Sequence, residues 1–132
     1  MKENIEYLQM LGLTEYQSRI LVVLFAKEKA TALQISKLGS VPLTKIYQVL
    51  KELEYMDMIS HSPGKPRIYS CPGAETVLND LIQKKVSKVE ELRGMKEEQI
   101  EVVTNMELTV QTENKKVHPV FSEGQYNIRG QR

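Results

Sequence analysis

At 132 residues, with 41% hydrophobic and 27% charged residues, the chain has room for one compact domain and an appendage, but not for two ordinary domains. No apolar run approaches the roughly 18 residues of a membrane span, and the amino-terminal MKENIEYLQM is too polar for a signal peptide, so no membrane partner is expected and the cytoplasm is the expected compartment. The net charge of +1 gives no overall bias toward polyanions, and the single cysteine, Cys71, cannot form an internal disulfide.

Charge placement along the chain is equally even. Through Ser70 there are 9 basic and 7 acidic residues, and after it 9 basic and 10 acidic. Any case for a nucleic-acid partner therefore rests on where particular cations sit.

Residues 2 to 11 form a short helix in which Ile5, Leu8 and Leu11 make an apolar stripe that ends at Gly12. In the following LGLTEYQSRILVVLFAKEKA, Thr14 with Gln17 three residues on is a capping-box start, Leu13 is placed to staple onto the first turn, and Tyr16, Ile20, Val23 and Leu24 recur at core spacing. A scaffold helix over about residues 15 to 27 is expected. The same device returns in TALQISKL, where Thr31 caps, Gln34 answers, and Ile35 and Leu38 are expected to point inward. Gly39 is the expected left-handed cap, and Gly39, Ser40 and Val41 make a tight turn.

The next stretch, residues 41 to 56, VPLTKIYQVLKELEYM, organises the rest. Ile46, Val49, Leu50 and Leu53 share one helical stripe, while Thr44, Gln48, Lys51 and Tyr55 fall on the other side. Pro42 can open such a helix because the first turn has spare N–H groups. One face is set to enter a core and the other to reach outward. After it, Met58-Ile59-Ser60-His61 and Arg67-Ile68-Tyr69-Ser70 are strand-like pieces around Ser62-Pro63-Gly64-Lys65-Pro66, a turn whose tip carries Lys65 and, just beyond it, Arg67, with no acid between His61 and Arg67. Helix, turn, helix and basic hairpin in this order define a winged helix-turn-helix with its recognition helix at 42 to 56 and its wing at 59 to 70.

From residue 74 to about 110 breakers are few. Ile82, Val89, Val103 and Val110 occupy one heptad position and Leu92 and Met106 its partner, interrupted by Lys85, Lys96 and Gln99. This is the pattern of a dimerising helix of imperfect coiled-coil type, with Ile82, Val89, Leu92, Val103 and Met106 as its seam, and Gly94 marks the place where it would bend or break. An amphipathic helix folded back on its own domain is the alternative. Residues 111 to 132 form a polar tail, loosely ordered as chain ends often are, with a short strand expected around Pro119 to Ser122. The expected fold class is mainly α with a small β-hairpin: a winged helix-turn-helix over 1–73, a helical dimerisation segment over 74–110, and the tail.

Three runs, LGLTEYQSRILVVLF, ATALQISKLGSVPLTKIYQVLKELEYMDMI and SPGKPRIYSCPGAETVLNDLI, together resemble the amino-terminal domain of the TrmB family of archaeal transcription regulators over about residues 8 to 85. More loosely they are similar to MarR-like and ArsR-like winged helices. Two departures stand out. Asp57 occupies a position that is usually glycine in the family, after the recognition helix. Longer members also continue into a sugar-sensing domain, whereas VFSEGQYNIRG resembles only its opening strand and turn. The resemblance implies a DNA-binding and dimerising unit without a complete ligand sensor.

On this reading a homodimer places residues 43 to 55 of each copy in a major groove of double-stranded DNA. Gln48 suits adenine, Lys45 or Lys51 guanine or phosphate, and the Thr44 methyl thymine, while the Tyr47 hydroxyl reaches a phosphate. Thr31 and Gln34 contribute main-chain and side-chain donors to the backbone where their helix meets a phosphate, and Lys65 and Arg67 follow the backbone or enter the adjacent minor groove. Glu52 and Glu54 concentrate contacts in the amino-terminal half of the helix. The resemblance implies a similar contact role for Thr44, Lys45, Tyr47 and Gln48. Two other functions fit the same fold, a protein-interaction adaptor and an architectural protein that coats duplex without reading it. No enzyme, metal or cofactor is expected, because His61, His118 and Cys71 lack ligand spacing and SPGKP has one glycine, too few for a phosphate loop. No residues point to a small-molecule effector.

Overall fold

The computed structural model describes residues 1 to 113, with side-chain environments through residue 106. The chain divides into a compact first unit, Met1–Val89, and a second that begins at Glu90. In order, the first unit holds α1 (Lys2–Met10), α2 (Glu15–Lys27), β1 (Lys29–Ala30), α3 (Ala32–Gly39), α4 (Leu43–Tyr55), β2 (Ser60–His61), β3 (Tyr69–Ser70) and the start of α5 (Ala74–Glu113). The expected mainly α winged helix-turn-helix, followed by a long helix, is the fold observed. The compact unit reaches past residue 73 because Val77 and Leu81, both on α5, are buried. The remainder of α5 belongs to the second unit, and Gly94 lies within the helix.

Both capping boxes form. Thr14 Oγ1 accepts from the Gln17 N–H at 3.1 Å while Gln17 Oε1 accepts from the Thr14 N–H at 3.0 Å, and Thr31 and Gln34 repeat the pair at 3.2 and 2.9 Å. These bonds satisfy N–H groups that a helix start otherwise leaves open. Behind the caps, Leu8, Leu13, Ile20, Leu21, Leu24, Ile35, Val41, Ile46, Leu50, Leu53, Met58, Tyr69 and Val77 close a single core.

The turn between α3 and α4 departs from expectation. Gly39 is the last residue of α3, not its left-handed cap, and that conformation falls to Ser40, at φ 57°. What requires glycine at 39 is space, since a Cβ there would lie 3.2 Å from Val23 Cγ2 and 3.3 Å from the Arg19 carbonyl oxygen. The close approach sets α3 hard against α2 and displaces Leu38, which is 53% exposed and not inward-facing. Ser36 pins the turn from both sides, its Oγ donating to the Val41 carbonyl at 2.5 Å and its own carbonyl accepting the Val41 N–H at 3.0 Å. Arg19 adds a bond to the Gly39 carbonyl at 3.3 Å. Pro42 then caps α4 from outside the helix, with Leu43 as the first helical residue.

The wing is shorter than its sequence pattern. The strands pair at Ser60↔Ser70 and His61↔Tyr69, the Ser62 N–H continues the pairing to the Ile68 carbonyl at 3.0 Å, and Met58 and Ile59 are drawn into the core. Ser62 extends the closure by accepting from the Ile68 N–H through its hydroxyl at 3.1 Å. A third strand that the sequence did not announce, Lys29–Ala30, pairs antiparallel with the other edge of β3, giving the order β1-β3-β2.

Asp57 follows α4 with φ 61°. The left-handed conformation explains why a glycine suits this position, since it disfavours residues with a Cβ. A carboxylate near a helix carboxyl terminus is unfavourable as well. Asp57→Gly is therefore expected to raise stability by about 0.5 to 1 kcal/mol, read as a higher urea midpoint with unchanged m-value.

Candidate nucleic-acid interface

The second helix of the helix-turn-helix, α4, divides cleanly. Ile46, Val49, Leu50 and Leu53 are buried, while Leu43, Thr44, Lys45, Tyr47, Gln48, Lys51 and Tyr55 are exposed. The buried stripe fixes the helix, and so determines which polar residues project from it. Between the start of α3, the middle of α4 and the wing lies an open cleft of about 430 Å³, lined by Thr31, Ala32, Leu33, Tyr47, Pro66, Arg67 and Tyr69. Of the expected contact residues, the cleft gathers Thr31, Tyr47 and Arg67. Thr44, Lys45, Gln48 and Lys51 stand exposed on α4, Gln34 on α3 and Lys65 at the wing tip, outside the cleft lining.

Charge availability differs between cations. Arg19 is paired with Glu15 at 2.7 Å, but among the described residues Lys45, Lys51, Lys65 and Arg67 have no ion pair. The two carboxylates on α4 are engaged by the protein itself. Glu52 accepts from Gln17 Nε2 at 3.0 Å, and Glu54 pairs with His61 Nδ1. His61 is thus a wing-strand residue that ties the root of the wing to the last turn of α4, with the Tyr69 ring 5.5 Å away.

At the start of α3, Thr31 Oγ1 and Gln34 Oε1 are already used by the capping box. The donors left for an outside partner are Gln34 Nε2 and the first-turn N–H groups of Ala32 and Leu33, the two residues that also line the cleft. Main-chain donors at this helix start are expected from the sequence at Thr31 and Gln34, but the capping box takes those two N–H groups and shifts the role to Ala32 and Leu33. The exposure of Leu33 and Leu43, 51% and 55%, is not expected from the sequence. The residues expected at a dimer seam are all exposed: Ile82 and Val89 in the first unit, at 40% and 50%, and Leu92, Val103 and Met106 in the second, at 54%, 51% and 60%. Ile100, outside that heptad frame, is 52% exposed as well.

Among the described residues, no cluster of His, Cys, Asp or Glu could hold a metal ion, and no helix is long and apolar enough to cross a membrane. Burial pushes the Cys71 thiol up from its ordinary range, partly offset by a backbone hydrogen bond at Gly73. Less thiolate is then present at a given pH than on an open chain. Alkylation of Cys71 by iodoacetamide at pH 8 is accordingly expected to be several-fold slower in the folded protein than in urea.

Fold and surface together define a winged helix-turn-helix protein. The family model described as "Sugar-specific transcriptional regulator TrmB" matches residues 8–75, and the chain belongs to the TrmB family. It is 30% identical over 92 residues to the HTH-type sugar sensing transcriptional regulator TrmBL1 of Pyrococcus furiosus, covering 70% of this chain and 27% of that protein. It is 33% identical over 81 residues to YrhO of Bacillus subtilis, covering 60% of this chain and 30% of that protein. Among solved structures, TrmBL2, described as an archaeal chromatin protein with a novel mode of DNA binding, superposes with a TM-score of 0.71 at 29% identity, covering 89% of this chain and 47% of that one. The chain therefore spans less than a third of the length of these curated relatives, and about half of the solved one.

Proposed function

We propose that the protein is a transcription regulator that binds double-stranded DNA as a homodimer and reads sequence with α4. The observation that carries this reading is the surface of α4. Its buried stripe fixes it in the core, while Thr44, Lys45, Gln48 and Lys51 stand exposed with unpaired cations, and both of its carboxylates are engaged by the protein's own side chains. A major groove accepts a helix with such a face, and its base edges complement Gln48 and the lysines. A backbone phosphate suits the cleft, whose lining includes the first-turn residues of α3, Tyr47 and Arg67 and so offers N–H, hydroxyl and guanidinium donors. Lys65 extends the same contact along the wing. The exposed row Ile82, Val89, Leu92, Val103 and Met106 supports pairing of two copies through α5. The family description, a sugar-specific transcriptional regulator, and one relative described as a sugar sensing transcriptional regulator agree with this assignment at the level of the family.

A second reading, coating of duplex without sequence readout, is favoured by the relative described as a chromatin protein. Titration of the protein against a duplex enriched from genomic fragments and a scrambled duplex, each at two salt concentrations, separates the two. Regulation requires that affinity fall with salt on both duplexes and favour the enriched one by at least about 10³-fold. Equal affinity for both assigns the protein to coating, and salt-independent or absent binding rejects DNA as its partner. Sedimentation equilibrium on the same samples should return twice the chain mass, and a monomer would remove the homodimer from the reading.

A further inference from the structure

Gln48 has a hydrogen-bond partner on its own helix. Its Nε2 donates to Glu52 Oε2 at 3.4 Å, one helical turn on. Glu52 Oε1 in turn accepts from Gln17 Nε2 at 3.0 Å, across from α4 to α2. Gln17 is itself held, because its Oε1 takes the Thr14 N–H in the capping box and the residue is only 8% exposed. A relay of hydrogen bonds thus runs from a buried cap to an exposed side chain on α4. Each amide in it has one orientation, since an NH₂ group can face a carboxylate and a carbonyl oxygen cannot.

We propose that Gln17 and Glu52 are positioning residues that hold the Gln48 amide in the orientation that selects adenine over guanine, an inference that rests on the duplex-binding reading above. One Nε2 hydrogen of Gln48 is taken by Glu52. What remains is a hydrogen beside the Oε1 acceptor, a pair that matches the N7 acceptor and N6 donor of adenine. Guanine offers two acceptors, N7 and O6, and satisfying both takes both amide hydrogens or a turned amide. Glu52 opposes either change. The acids on α4 thus have different tasks: Glu54 ties down the wing through His61, whereas Glu52 sets a base preference.

The test uses the 132-residue chain and a library of randomised duplexes, with the bound fraction sequenced. Wild type is compared with Glu52→Ala, Gln17→Glu, Gln48→Ala and the Gln48→Ala/Glu52→Ala pair. Gln17→Glu retains an acceptor for the capping box but sets a second carboxylate against Glu52, so it breaks the relay and keeps the cap. The wild type is expected to prefer adenine to guanine at one position of each half-site. Glu52→Ala and Gln17→Glu should each reduce that preference about three- to tenfold and leave the other positions unchanged. In the Gln48→Ala background, Glu52→Ala should alter base preference no further. Thermal melting checks each variant, and Glu52→Gln replaces Glu52→Ala if the latter fails to melt cooperatively. A wild-type base profile in both relay variants overturns the proposal, as does an equal loss in the Gln48→Ala background. If the wild type binds no duplex in a salt-dependent way, the DNA-binding reading falls and this one falls with it.

Discussion

Leu50→Ala is expected to lower the unfolding free energy of the first unit by about 2 to 5 kcal/mol, while Lys51→Ala, one residue away, stays within about 0.5 kcal/mol. Leu50 is 1% exposed, on the stripe that joins α4 to the core, so truncation removes apolar contact and leaves a cavity that the surrounding helices close only in part. Lys51 is exposed and has no ion pair among the described residues. For a domain whose whole stability is of the order of 5 to 15 kcal/mol, the first change removes a large share and the second almost none. Urea unfolding followed by circular dichroism measures both. The contrast has a functional consequence, because the buried stripe supplies the apolar anchorage of the helix that carries the proposed readers, and Lys51 has no part in it. Leu50→Ala should therefore reduce DNA binding only as far as it depopulates the folded state, and Lys51→Ala should reduce it with the fold intact. Comparable losses of stability in the two variants would mean that the division of α4 into an anchoring and a reading face is wrong.

How much of this was legible in the sequence depended on the distance over which each feature is decided. The capping boxes at Thr14 and Thr31 are written within four residues, and both form as read. The stripe of α4 recurs over two turns, and all four of its members are buried. Gly39 carried the right residue for the wrong reason. A left-handed cap and a close helix contact both call for glycine, and only the neighbouring Val23 and the Arg19 carbonyl, 16 and 20 positions earlier, distinguish them. Leu38 follows from the same crowding, because Ser36 and Gly39, small and placed beside α2 and the turn, take the buried side of α3 in its place. The two-residue strand Lys29–Ala30 has no alternation to read and exists through its pairing with β3, about forty residues later.

The candidate site was legible in its residues more than in its couplings. Glu52 reads in sequence as an acid that repels phosphate, and Gln17 as a cap and nothing more, since their contact joins positions 35 apart. The cleft was half visible. Thr31, Tyr47 and Arg67 were singled out from three separate segments, but that they meet is a consequence of how α3, α4 and the wing pack on one core. Main-chain donation at the start of α3 is legible in the sequence, but its assignment to Thr31 and Gln34 is not kept, because the capping box uses those N–H groups and leaves Ala32 and Leu33.

Separation of positioning from reading is the other large effect, and it is expected to appear as two different phenotypes. Lys65→Ala and Arg67→Ala should each flatten the dependence of log affinity on log salt by about 0.9, and the double variant by about 1.8, because each lost phosphate contact leaves its counterions undisturbed. Affinity for enriched and scrambled duplexes should fall together, since a phosphate carries no base identity. Both side chains are exposed and lack an acidic partner among the described residues, so their loss should leave the fold as stable as before. Gln48→Ala should do the reverse, keeping the salt slope and reducing discrimination between duplexes by about 1 to 3 kcal/mol. Fluorescence anisotropy at several salt concentrations, on both duplexes, measures all of these quantities at once. Were the wing and Gln48 variants to lose slope and discrimination in the same proportion, the wing and α4 would be contacting the duplex in one way, and coating would replace reading as the function of this surface.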